Sequence, residues 1–241
     1  MTGLSVIVRR ELYSYFATPV AYVFVAIFLM LAGIFTFYPG QFFERGQADL
    51  VSFFNYLPWL FLVLVPAVAM RLWAEERRSG TVELLMTLPL NPSVVVLGKF
   101  LGAWLFIGLA LALTFPLWIT VNFLGQPDNG VILATYLGGW LMAGGFLAIG
   151  SCLSALTRNQ VVAFILTLVV GFLFVVSGFP MVQDAFVGWG PVWLLDGLSA
   201  ISFLAHFDAI GRGVIDWRNL LYFLLVIAVW LLATVQVLKR D

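Results

Sequence analysis

Residues 19–37 read PVAYVFVAIFLMLAGIFTF, nineteen positions without a charged side chain. At about 1.5 Å rise per residue, a helix of that length covers roughly 28 Å, close to the hydrocarbon thickness of a bilayer. The rest of the chain repeats the pattern. Of its 241 residues 63% are hydrophobic and 10% charged, and the mean hydropathy is +1.06. An ordinary soluble domain carries about 25% charged residues. A chain this apolar lacks the polar surface to face water on all sides, so the bilayer is its natural solvent. The apolar runs are long and uniform, unlike the short alternating segments of a β-barrel. The expected fold is an all-α polytopic membrane protein forming one domain over residues 1–241.

Six charge-free runs read as spans: 19–37, 53–70, 100–124, 132–156, 161–181 and 220–238. Pro116 is expected to kink the third. The first run is long enough to span and no A-x-A-like site follows it, so the expectation is that the first span itself signals insertion. With a cytoplasmic N-terminus, six spans return the C-terminus to the cytoplasm. Arg9, Arg10, Arg71, Arg77, Arg78, Lys99, Arg158, Lys239 and Arg240 then lie inside, and Arg45, Arg212 and Arg218 outside. That distribution obeys the positive-inside rule.

Three stretches do not span. In residues 3–17, Leu4, Ile7, Val8, Leu12 and Tyr15 recur at helical spacing, opposite Arg9, Arg10 and Glu11; this predicts an amphipathic helix lying in the membrane interface. Residues 182–218, with Trp189, Trp193 and Trp217, are rich in Gly and Pro and read as short re-entrant or interfacial helices on the outer face. The third stretch is the cytoplasmic segment 71–99. In the fourth span, Gly138, Gly139, Gly144, Gly145 and Gly150 suit close helix approach, within one bundle or between subunits.

The chemistry expected of a membrane enzyme or an ion-coupled carrier is missing from this pattern. The six runs contain no ionisable residue, whereas such groups mark proton and ion pathways in spans. His206, the sole histidine, lies in the outer segment and reads as structural, and Cys152 is the sole cysteine. No H-E-x-x-H pattern occurs. Lys99 follows Gly98, but Phe100 stands where a phosphate-binding loop needs Ser or Thr. Active transport would therefore draw its energy from another chain. The net charge of +0 gives no reason to expect nucleic acid as a partner.

Segment 71–99 opens with Glu75-Glu76-Arg77-Arg78 and breaks at Ser79-Gly80-Thr81. A short apolar helix start follows, Val82-Glu83-Leu84-Leu85, before Pro89, Pro92 and Gly98-Lys99. Thr81 could cap that helix, and Glu83 in its first turn suits the helix dipole. The leucine face fits a groove on another protein. On layout alone, a solvated connector is an equal alternative.

At these residues the chain resembles the permease subunits of ABC-2 type transporters. The likeness runs from Arg9-Arg10-Glu11-Leu12 and Thr18-Pro19 through Glu75–Leu85, Pro89 and Gly98-Lys99 to His206-Phe207 and Arg212–Asp216. Without a large extracytoplasmic insertion it is most similar to the gliding-motility-associated and copper-enzyme-maturation branches. The resemblance implies a bacterial inner-membrane permease, not an enzyme, that pairs with a second copy or a related chain. It implies two ABC ATPase subunits that bind ATP and magnesium, while this chain holds no cofactor or metal. Glu75, Glu76, Arg77, Arg78, Gly80, Thr81, Glu83, Leu84 and Leu85 fall on the family's ATPase-coupling region, and Arg9, Arg10 and Glu11 on its connecting helix. Export is the implied direction. The same scaffold could instead relay ATPase motion to an extracytoplasmic accessory protein without moving a substrate.

Overall fold

The computed structural model of the chain describes residues 3–86, 91–184, 191–213 and 216–239, without the side chains of 84–86, 192 and 194–196. Every regular element among them is a helix. The amphipathic stretch forms α1 (Gly3–Phe16), and the first apolar run forms α2 (Pro19–Phe37) with Pro19 at its start. Then come α3 (Val51–Ala69), α4 (Ala74–Ser79), α5 (Thr81–Met86), α6 (Pro92–Ala112), α7 (Phe115–Leu124) and α8 (Asn129–Ala155). The chain continues through α9 (Gln160–Val176), α10 (Pro180–Asp184), α11 (Val192–Ile201), α12 (Phe203–Gly211) and α13 (Trp217–Lys239).

By length and composition, five helical stretches can cross a membrane: 19–37, 51–79, 92–124, 129–155 and 217–239. The expected fifth span is a shorter apolar helix, the 17-residue α9, roughly 25 Å long. Two boundaries differ from the sequence expectation for identifiable reasons. Pro116 does more than kink the third span. It lacks an N–H, and its ring would meet the carbonyl four residues earlier, so α6 ends at Ala112 and α7 restarts at Phe115. The same span also begins earlier than its first charge-free residue. Pro92 sits in the first turn of α6, and the Asn91 side chain accepts a bond from Ser93 N (3.1 Å). Gly98 and Lys99 therefore lie on α6 and not in a connector, which puts one ionisable group inside an apolar helix.

α8 is the centre of the bundle. Nearly all its residues from Gly138 onward are buried, against α3, α9, α12, α13 and α6. Its glycines are the reason neighbours come so close. A Cβ at Gly139 would meet Leu57, one at Gly144 would meet Trp104 and Ile227, and one at Gly145 would meet Phe203. At Gly150 it would run into Ala69 Cβ and come within 2.9 Å of Thr167 Cγ2. All these partners belong to the same chain, so packing within one bundle accounts for the glycine pattern. Gly150→Leu should prise α8 from α3 and α9 and cost about 3 kcal/mol or more as overpacking. A thermal melt of the purified variant within 2 °C of wild type, set against about 2–4 °C per kcal/mol for a chain this size, would contradict that packing.

α2, α9 and α13 present broad apolar faces outward, with Val20, Val23, Ile165, Leu173, Leu225 and Leu232 among the exposed residues. Those faces suit lipid or another apolar helix. α12 carries Phe203, Phe207 and Ile210 inward against α8.

Candidate functional site

The charged residues of α1, α4 and α6 meet at one end of the bundle, around Lys99. Its ammonium lies 2.8 Å from Glu76 Oε1 and 3.5 Å from Glu11 Oε1, and donates to the Leu72 carbonyl at 3.1 Å. The ammonium also stands 5.1 Å from the centre of the Trp73 ring. The Lys99 side chain is 5% exposed, Glu11 13% and Glu76 18%. A buried ammonium is tolerated only when its donors are matched by acceptors, and Lys99 has three. One side chain thus joins the amphipathic helix, the charged run after α3 and the start of a spanning helix.

The approach of α1 to α6 makes this geometry possible. Gly98 faces Ile7, and Gly102 faces Glu11; a Cβ at either would meet those side chains at 2.6–2.7 Å. Tyr15 stacks on Phe106 with ring centres 4.9 Å apart, and Phe16 meets the same ring edge-on. Burial, and then the Glu11 charge, push the Tyr15 phenol above its ordinary range, with Arg71 pulling it partly back. Tyr15 therefore stays a neutral hydroxyl. α1 lies on α6, a contact that its amphipathic pattern alone did not reveal.

The turn between α3 and α4 is pinned from the other side. Ser154, fully buried on α8, accepts from Trp73 N (3.2 Å) and Ala74 N (3.0 Å) and donates to the Met70 carbonyl (3.0 Å). Trp73 Nε1 donates to Ser151 Oγ at 3.0 Å. Ser151 and Trp73 carry no charge and form no motif, and Ser154, four residues after Gly150, reads in sequence only as a small packing residue. α4 ends at Gly80, whose left-handed backbone (φ +73) reverses the chain and suits a residue without Cβ. The Thr81 hydroxyl then lies 2.9 Å from Ser79 Oγ and donates to the Glu76 carbonyl at 3.4 Å. Thr81 opens α5 while its hydroxyl turns back to α4.

The predicted site residues therefore divide. Glu11 and Glu76 turn inward to Lys99. Arg9, Arg10, Glu75, Arg78, Gly80, Thr81 and Glu83 are exposed, with Glu75 bonded to Arg71 (3.3 Å). Arg77 is partly buried, and its backbone N–H continues α4 by donating to Trp73 O at 2.8 Å. Leu84 and Leu85 belong to α5, but their side chains, like Leu88 and Pro89 entirely, lie outside the described residues.

Elsewhere, His206 is held structurally. Its ring stacks on Tyr222 at 3.8 Å, and its nitrogens lie 2.7 Å from Asn219 Oδ1 and 3.2 Å from the Ala200 carbonyl. The opposite end of the bundle holds a cavity of about 370 Å³ walled by Phe54, Phe207 and Ile132, with Asp49, Asp128 and Arg212 on its lining. Among the described residues, no group of three or more His, Cys, Asp or Glu could hold a metal ion.

The long apolar helices packed around α8 define a polytopic helical membrane protein. A family model described as ABC-2 family transporter protein matches residues 39–235, and the chain belongs to that family. A comparison with curated proteins finds no match. Membership makes the chain a multi-pass membrane permease component of an ABC transporter, a transport part and not itself catalytic, and implies an ATPase partner.

Proposed function

We propose that this chain is the membrane half of an ATP-driven exporter, and that residues 75–85 are where its ATPase docks. Two copies of the permease, or one with a related chain, would pair with two ATPase subunits that hold ATP and magnesium. The charge distribution supports cytoplasmic N- and C-termini in a bacterial inner membrane, with α9 crossing as the sixth span. The carrying observation is Lys99. Because its ammonium engages Glu76 and Glu11 together, a push on α4 would be passed to α1 and α6. Exposed Glu75, Arg78, Gly80, Thr81 and Glu83 offer both charge signs to a partner, which fixes orientation more than affinity. The leucines that follow would supply apolar anchors, each worth about 2 kcal/mol when fully buried.

Leu84→Asp combined with Leu85→Asp tests the assignment. The variant should keep the elution volume of the wild-type permease and lose its cognate ATPase on co-purification. ATP turnover in the membrane would fall to that of the ATPase alone. A double variant that still carries its ATPase and keeps permease-dependent turnover would remove residues 84 and 85 from the interface. Transport measured in inverted vesicles separates export from a relay role: coupled ATP turnover with no vectorial movement of any cargo would favour the relay.

A further inference from the structure

The cavity of about 370 Å³ at the end of the bundle opposite Lys99 lies where three helix ends meet. Its lining comes from the start of α3 (Leu50, Phe54), the start of α8 (Val131, Ile132) and the last turns of α12 (Phe207). Phe54, Ile132 and Phe207 are themselves buried, so the recess has an apolar wall that packing holds in place. Small-molecule sites are typically cavities of about 300–1,000 Å³, mostly apolar, with a few polar groups that fix the ligand's orientation.

Four charged side chains line this cavity: Asp49, Asp128, Asp208 and Arg212. Two are already engaged. Asp49 accepts from Val51 N at 3.1 Å and stands 3.8 Å from Arg45. Asp128 caps α8, accepting from Gly130 N at 2.9 Å and Val131 N at 3.2 Å. Asp208 and Arg212 differ from these. They sit one turn apart on α12, the spacing at which an acid and a base on a helix can pair, with Cβ atoms about 5–6 Å apart. Among the described residues, however, neither side chain makes a hydrogen bond or an ion pair, with the other or with a third group. Arg212 acts on Asp208 only through space: burial pushes the carboxyl above its usual range, and the Arg212 charge draws it part of the way back. Both side chains are exposed, so a solute in the cavity can reach them.

We infer that this cavity binds a small zwitterion with an apolar body, the chemistry of an apolar α-amino acid, with its ammonium at Asp208, its carboxylate at Arg212 and its side chain against Phe54, Ile132 and Phe207. Each part of the ligand answers a separate feature. The Asp208 carboxylate accepts from an ammonium, and the Arg212 guanidinium is the fork that takes a carboxylate through two parallel N–H bonds. A simple cation would leave Arg212 unanswered, and a simple anion would leave Asp208 unanswered. A zwitterion without an apolar body would leave the recess to water. Single exposed ion pairs contribute little, so discrimination comes from both charges acting on one headgroup beside the apolar wall. The site lies at the far end of the bundle from the Lys99 cluster, and nothing in this inference requires residues 75–85 to meet an ATPase.

Equilibrium dialysis of the detergent-purified permease, set against micelles without protein, tests the site with phenylalanine, phenethylamine, phenylpropionate and glycine. Phenethylamine lacks the carboxylate, phenylpropionate lacks the ammonium, and glycine lacks the apolar body. Phenylalanine should bind saturably, and each of the other three about tenfold more weakly, a factor of about 1.4 kcal/mol. Each substitution should remove one preference and leave the other. Asp208→Asn should bring phenylalanine down to phenylpropionate while its advantage over phenethylamine remains. Arg212→Gln should bring phenylalanine down to phenethylamine while its advantage over phenylpropionate remains. Uptake of phenylalanine no greater than by empty micelles overturns the site. So does wild-type binding of phenethylamine, phenylpropionate or glycine as tight as that of phenylalanine, or a preference that survives the substitution assigned to it. Should either variant fail to fold, the wild-type ranking of the four probes still decides.

Discussion

Lys99→Met is expected to destabilise the protein by about 3–5 kcal/mol, the cost of breaking a buried ion pair from one side. The substitution keeps an unbranched apolar stem, one heavy atom shorter, and removes the ammonium with its charge and donors. Glu11 and Glu76 are then left facing each other with most of their surface out of water. The Leu72 carbonyl loses its donor as well. Against a typical stability of about 5–15 kcal/mol, the loss should lower the melting temperature by about 10 °C. The cause can be separated from simple loss of packing. Adding Glu11→Gln and Glu76→Gln to Lys99→Met removes all three charges, and this triple variant should recover most of the lost stability. A Lys99→Met protein that melts with wild type would show that the cluster is not holding α1, α4 and α6 together. If the triple variant were no more stable than the single, the loss would lie in packing and not in orphaned charge.

How much of this could be read from sequence depends on which force set each element. The spans were legible because burial in lipid demands long charge-free runs, and α2 follows its run from Pro19 to Phe37. The amphipathic α1 was legible from Leu4, Ile7, Leu12 and Tyr15. What stayed hidden was what the pattern faces: Gly98 and Gly102 admit Ile7 and Glu11 because they lack Cβ, and no local signal names the partner of a glycine. That Lys99 lies on α6 and not in a connector stayed hidden for a related reason. Charge was used to end a span, whereas the helix ends where its cap is, at Asn91. A lysine inside an otherwise apolar helix, with unmatched glutamates at residues 11 and 76, was the signal available. Ser151 and Ser154 gave none, because a serine on a small-residue helix reads as a packing position until its hydroxyl is seen to meet a backbone.

Ser154 carries the second large expectation. Its single hydroxyl is saturated: it accepts from Trp73 N and Ala74 N and donates to the Met70 carbonyl. Arg71 N and Leu72 N bond back to Val68 and Ala69, the Leu72 carbonyl takes Lys99, and the Trp73 carbonyl takes Arg77 N. Ser154→Ala leaves two N–H groups and one carbonyl without partners, at a site 0% exposed. Each orphaned buried group costs about 1–3 kcal/mol, so the variant should lose about 3 kcal/mol or more. Ser151→Ala orphans only Trp73 Nε1 and should lose about 1–2 kcal/mol. The pair should not add, because both hydroxyls hold the same tryptophan. Thermal melts of the two single variants and the double measure all three quantities. Equal losses for Ser151→Ala and Ser154→Ala would mean that the backbone bonds are not what fixes the turn. The ordering matters for function as well as stability. With Ser154 anchoring the turn to α8 and Lys99 anchoring it to α6 and α1, α4 cannot shift without carrying three helices. In Ser154→Ala that linkage is weakened at α8 alone, where Ser151 still holds the Trp73 ring. The variant should therefore bind its ATPase as wild type does while transmitting less of each ATP cycle, seen as ATP turnover that no longer responds to the permease.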